Sequence, residues 1–193
     1  MENKLRLDIM CDIETLGKDS DTAIFQIAAA AFDIETGSIM YRFNEICNIS
    51  NTKILVDGDT LKWWLNTDKE LLTKLLNQGN CSEKWMVEKF HDWITELQKT
   101  HEVYFWGNGI LFDNRLVKEK MASYGLQYPI FYRNDRDLRT LVEMASIKYD
   151  IDPHNACKVE NPEKHNAMFD VEHQIRVATY CWHLLMAKTY VAD

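Results

Sequence analysis

Two carboxylates one residue apart, Asp12 and Glu14, close the run Leu7-Asp8-Ile9-Met10-Cys11-Asp12-Ile13-Glu14-Thr15. A β-strand sends alternate side chains to opposite faces, so Leu7, Ile9, Cys11 and Ile13 make one apolar face while the two acids share the other. Neighbouring carboxylates at the end of an apolar strand repel one another and are costly to desolvate unless a cation lies between them. The pair is therefore a candidate metal seat. Asp-x-Glu also arises by chance in an acidic chain, and Asp33-Ile34-Glu35-Thr36 repeats the same letters as an internal control. That copy leads into Gly37-Ser38 between two strand-like runs and reads as a solvated hairpin turn. The first copy ranks well above it.

Three further residues offer chemistry, and each also has an ordinary explanation. Asp113 stands where a helix should start and would serve as its cap. Asp170 suits the first turn of a helix, where the dipole favours an acid. His165 alone could be a loop-packing histidine. Histidine and aspartate five positions apart lie about 140° around a helix and diverge, so they meet only if His165 precedes the helix. With Asn166 as N-cap, His165 sits on the preceding loop and Asp170 on the first turn. An imidazole there, with an unperturbed pKa of about 6.5, suits a general base at physiological pH.

The elements that must hold these residues alternate in type. After the opening strand, apolar runs over 24–32 and 39–46 predict a three-strand meander. Helical spacing follows over 60–65, 68–76 with Asp68 as cap, and 82–97. Trp63 points away from the stripe formed by Leu61, Trp64 and Leu65. Residues 102–106 read as a buried strand ending at Gly107-Asn108-Gly109. That pair of glycines lacks the third one a dinucleotide fingerprint needs. A helix over about 113–124 stopped by Gly125, a short strand over 129–132 and a helix over about 137–149 come next. Residues 150–164 form one long irregular segment, of a length that is often functional, before a helix running to about residue 187. The pattern is α/β, a mixed sheet with helices on its faces.

The whole chain narrows the function further. At 193 residues and 46% hydrophobic composition, one domain over 1–193 is expected. A net charge of −8 disfavours a protein that grips long duplexes through many phosphates. Five cysteines, odd in number and without a Cys-x-x-Cys pair, indicate neither a disulfide framework nor a zinc knuckle. A reducing, cytoplasmic setting is expected, with no secretory leader pattern at Met-Glu-Asn-Lys and no apolar run of membrane-spanning length.

Asp12-x-Glu14, then Asn108 through Phe112-Asp113 ahead of a helix, then His165-x-x-x-x-Asp170 together resemble the three exonuclease motifs of the DnaQ-like superfamily, in its DEDDh branch. Order and spacing agree, and the resemblance spans residues 5 to about 185. Within the branch, Thr60-Leu61-Lys62-Trp63-Trp64 and Arg136-Asp137-Leu138-Arg139-Thr140-Leu141 are similar to the phage exonuclease A and exodeoxyribonuclease VIII-like group, which includes a bacterial exoribonuclease relative.

The resemblance implies a ribonuclease H-like fold with a mixed five-stranded sheet. It implies that Asp12, Glu14, Asp113 and Asp170 hold two Mg²⁺ or Mn²⁺ ions and that His165 deprotonates the attacking water. By position it gives Thr15 and Leu16 contacts with the terminal nucleotide. Trp63 could stack on a base or simply pack. Asn108 could bond the substrate or shape its loop. Arg133, Arg136 and Arg139 could meet phosphates or form a solvated, mixed-charge face. The implied activity is 3′→5′ removal of 5′-nucleoside monophosphates from a single-stranded or frayed 3′ end, DNA ahead of RNA. An inactive nuclease-fold binding module is the alternative from another class. No membrane partner is expected, and a homodimer is left open.

Overall fold

A computed structural model describes residues 4–50, 53–159 and 165–187. β1 (Leu5–Thr15), β2 (Ile24–Phe32) and β3 (Ile39–Ile46) form an antiparallel meander. On the other side of β1, β4 (His101–Gly107) and the short β5 (Asp135–Asp137) add in parallel. The sheet order is β3-β2-β1-β4-β5, which puts the strand carrying Asp12 and Glu14 at the centre. It is the mixed five-stranded sheet with helices on both faces that the sequence led us to expect.

Each face of β1 feeds its own core. Leu7, Ile9, Cys11 and Ile13 pack with Phe25 and Ile27 against four helices, α1 (Gly58–Thr67), α2 (Lys69–Gln78), α3 (Glu83–Gln98) and α4 (Asp113–Ser123). Met10, Ala28, Ala30 and Phe32 turn the other way, onto α5 (Leu138–Tyr149) and α7 (Ala167–Met186). A short α6 (Pro153–Ala156) lies between those two in the chain. The run Ala28 to Ala31 is fully buried. Methyl side chains at Ala28 and Ala30 let α7 pack closely on β1 and β2 through Ala167, Val171, Ile175 and Ala178. The helix bearing Asp170 is thereby laid over the strand bearing Asp12.

Two expectations about the connections need correction. The strand expected over 129–132 is absent, and β5 forms instead at 135–137, pairing Phe105 with Asp135 and Gly107 with Asp137. Asn134 makes that docking, its side chain donating to Val103 O at 3.0 Å and its carbonyl accepting Phe105 N–H at 2.9 Å. Phe131 and Tyr132 stay outside, their rings tilted against each other with 4.6 Å between centroids. The segment 150–164 is also less irregular than expected, because Asp152 caps α6 by accepting His154 N–H and Asn155 N–H. Residues 160–164 of that segment lie outside the described residues. Among the described residues no helix is long and apolar enough to cross a membrane.

Candidate metal centre and nucleotide cavity

β1 delivers Asp12 and Glu14 to the end of the sheet, opposite Ala28 and Gln26 of β2. Asn166 caps α7 by accepting Met168 N–H at 3.2 Å, so Asp170 falls on its first turn. Carboxylate oxygens of Asp12, Glu14 and Asp170 lie within 4.8 Å of one another. Asp113 stands beside this cluster, as the first residue of α4. It does not cap that helix with its side chain, as one ordinary reading would have it. The backbone N–H groups of Ile13 and Asn108 stand beside its carboxylate instead and favour its charged form. Gly107 permits the arrangement, since a Cβ there would stand 2.3 Å from Asn114 Oδ1 and 3.2 Å from Asp113 Cβ.

Electrostatics separates this group from the other acids of the chain. Burial pushes the Asp12 carboxyl well above the usual carboxylate range, and the charges of Asp113 and Asp170 push it further. Glu14 is raised for the same reasons, burial first and then Asp12. Asp113 is pushed up to about 7 by burial, against the pull of its backbone N–H donors and of Arg139. Carboxylates packed this way cannot all ionise unless positive charge joins them. Hard oxygen donors fit Mg²⁺ or Mn²⁺ better than a soft metal. The second Asp-x-Glu copy takes no part, because Asp33 Oδ1 is engaged by Glu35 N–H and Thr36 N–H in an exposed turn.

Gln174, which the sequence reading missed, holds one oxygen of the cluster. Its Nε2 donates to Asp12 Oδ1 at 2.8 Å from a side chain only 4% exposed. The available signal was its place one helical turn beyond Asp170, on nearly the same face.

His165 precedes the cap in a left-handed backbone conformation, φ 64°. Its ring meets Trp63 edge-on, with 5.1 Å between centroids. Trp63 in turn meets Trp64 edge-on at 5.1 Å, and Trp64 Nε1 donates to Thr15 O at 3.1 Å. This chain of contacts ties α1 to the end of β1. Between them opens a cavity of about 470 Å³, lined by Glu14, Thr15, Lys18, Thr60, Trp63 and Phe112 among others. Trp63 is 45% exposed, so its ring is available from the solvent side. Thr15 Oγ1 donates to Gly17 O at 2.6 Å and shapes the turn. Leu16 is placed differently. Its side chain is buried in the core, and its backbone pairs with Ala23 O and Asp57 N–H. Asn108 touches the centre through its backbone N–H to Asp113.

A sheet of this order, with an acidic cluster at the end of its central strand, has the ribonuclease H-like architecture of the DEDDh exonucleases. The family model of the 3′-5′ exoribonuclease Rv2179c-like domain matches residues 7–182, and the chain belongs to that family. Solved structures share the fold at low identity. The nuclease domain of 3′hExo, a DEDDh family member bound to rAMP, is 10% identical over 92% of each chain, with a TM-score of 0.63. Cell-death related nuclease 4 is 14% identical with a TM-score of 0.65, covering 95% of this chain and 65% of its own. The zinc-bound complex of E. coli ExoI with single-stranded DNA is 17% identical with a TM-score of 0.66, covering 91% of this chain and 40% of its own. The chain thus spans less than two thirds of the latter two proteins. No curated protein matches it by sequence.

Proposed function

We propose that this chain is a single-domain, metal-dependent 3′→5′ exonuclease that shortens single-stranded nucleic acid from its 3′ end and releases 5′-nucleoside monophosphates. The observation that carries this reading is the close cluster of Asp12, Glu14 and Asp170, with Glu14 buried and the other two half-buried, beside an open cavity walled by Glu14, Thr15 and Trp63. In it, Asp12, Glu14, Asp113 and Asp170 would hold two divalent ions, Mg²⁺ or Mn²⁺. Such ions neutralise charge on the attacking and leaving oxygens of an in-line displacement.

The chain's own residues do the rest. His165 takes the proton of the attacking water from its loop position just before the N-cap of α7, beside Trp63. Trp63 offers its exposed face to the terminal base, and Thr15 holds the wall of the cavity in place. Gln174 keeps Asp12 turned toward its neighbours.

The family's description moves the substrate from DNA, which the phage-like resemblance favoured, toward RNA. The 3′hExo structure holds rAMP and the ExoI structure holds single-stranded DNA, so each polymer has a precedent on this fold. The resemblance of residues 60–64 and 136–141 to the phage exonuclease A group supports DNA as the second reading. The deciding experiment gives 5′-labelled RNA and DNA of one sequence to the protein with Mg²⁺ or Mn²⁺, beside an Asp12→Ala control. A ladder that shortens from the 3′ end of RNA faster than of DNA is expected. Binding of both strands without cleavage of either would leave a nuclease-fold binding module in place of the enzyme.

A further inference from the structure

Three arginines near β5 were equal candidates for phosphate contact in the sequence, and the structure treats them differently. Arg133 donates to Tyr132 Oη at 2.7 Å and lies 5.2 Å from the Tyr132 ring centroid. Arg136 donates to the carbonyls of Arg133 and Asp135 at 2.7 and 2.9 Å and stacks on Tyr104. Both are spent on local structure. Arg139 is not. Its guanidinium has no hydrogen-bond or ion-pair partner among the described residues, and it is exposed. The nearby Asp137 carboxylate is already engaged, accepting Arg139 N–H at 3.2 Å and the Thr140 hydroxyl at 3.1 Å as cap of α5.

Chain connection and packing set where this free cation lies. Asp137 pairs with Gly107 at the end of the parallel strands and α5 begins at Leu138, so Arg139 is carried on the first turn of that helix, against Gly109. Gly109 has φ 119°, and a Cβ built on it would lie 3.3 Å from Arg139 Cζ and 3.5 Å from Nε and Nη1. The backbone N–H of the preceding residue, Asn108, lies near the Asp113 carboxylate and favours its charged form. The Asn108-Gly109 turn is thus sandwiched between a carboxylate of the candidate centre and an unpaired guanidinium. The net charge of −8 and the clustered acids repel a polyanion at this end of the sheet. A guanidinium on the rim offsets that repulsion where a strand must arrive, and its fork matches a phosphodiester.

We infer that Arg139 is a phosphate-contact residue, which binds the backbone of a single-stranded nucleic acid as the strand crosses the Gly109 turn toward the carboxylates. The contact reads charge and not base or sugar, and it rests on the nuclease reading of the site. The test measures binding of a short 5′-fluorescein-labelled poly-uridine strand, and its poly-deoxythymidine counterpart, by anisotropy in Ca²⁺ at several KCl concentrations. Arg139→Gln is expected to weaken both strands about tenfold at low salt and to lower the slope of log affinity against log salt by about 0.7 to 1. Arg139→Lys keeps the slope, and Arg133→Gln changes neither quantity.

A second readout separates contact from structure. Melting with added Mg²⁺ should show no weaker metal response in Arg139→Gln, because the substitution removes a cation near the carboxylates. Unchanged strand affinity and salt slope in Arg139→Gln would overturn the assignment. So would loss of the metal response, which would make Arg139 a structural counter-ion of Asp113. If the unsubstituted protein binds strands without cutting them, the nuclease reading falls while the anisotropy series still decides Arg139. A protein that binds neither strand overturns the contact outright.

Discussion

His165 and Trp63 divide the work of the candidate site at the level of single side chains. An imidazole on a pre-helical loop can act on a water without holding a metal, so His165→Ala should remove the proton acceptor and little else. We expect turnover to fall about 10²- to 10⁴-fold. The upward melting shift produced by Mg²⁺ should remain, since Asp12, Glu14 and Asp170 do not need the ring. Full turnover in His165→Ala, read from the cleavage ladder, removes the general-base role. Trp63 makes T-shaped contacts with Trp64 and His165, lines the cavity and is half-exposed. Trp63→Ala should therefore weaken strand binding by about 1–3 kcal/mol, as expected for one lost base stack. Its effect on metal-free melting should be small, because buried Trp64 anchors α1 through Thr15 O. Anisotropy and melting on the same preparation check both halves.

Among elements, the close approach of α4 to β4 is what brings the second motif to the first. Gly107 has no side chain to hold Asn114 and Asp113 away, so Asp113 reaches the backbone of Ile13 on β1. Gly107→Ala forces a contact of 2.3 Å on Asn114 Oδ1, and overpacking of this kind costs about 1–3 kcal/mol. A lower melting temperature with a diminished Mg²⁺ shift is expected, and an unchanged melt counts against this account of Asp113. Elements differed in how well periodicity exposed them. Asp68 caps a helix where the sequence placed a cap, and Ser82 caps the helix expected to start there, because a cap is a local bond between a side chain and the next turn. β5 was displaced by several residues because Asp-Arg-Asp has no apolar alternation, and its strand character comes from Phe105, Trp106 and Gly107 beside it.

On the scale of the whole molecule, the buried acids make folding depend on protons and on metal together. Asp113 ionises at about 7 in the fold and at about 4 in an unfolded chain. Between those values the folded state holds more protons than the unfolded state, so metal-free stability falls as pH rises through the window. Asp12 and Glu14 are shifted in the same direction and steepen the fall. Chemical denaturation in EDTA from pH 4 to pH 7, against Asp113→Asn, should show a steeper decline in the unsubstituted protein, and saturating Mg²⁺ should flatten it. A flat metal-free profile would mean that these carboxylates are not packed as described. The sequence alone determined the apolar alternation of β1, the capped start of α7, and the identities of the acids, because these depend on strand and helix periods and on bonds spanning a few residues. Only the tertiary structure decided that Leu16 turns inward, that Gln174 holds Asp12, and that Arg139 of the three arginines lies against Gly109. Those outcomes depend on which residues, far apart in the chain, the sheet register and the packing of α7 bring within bonding distance.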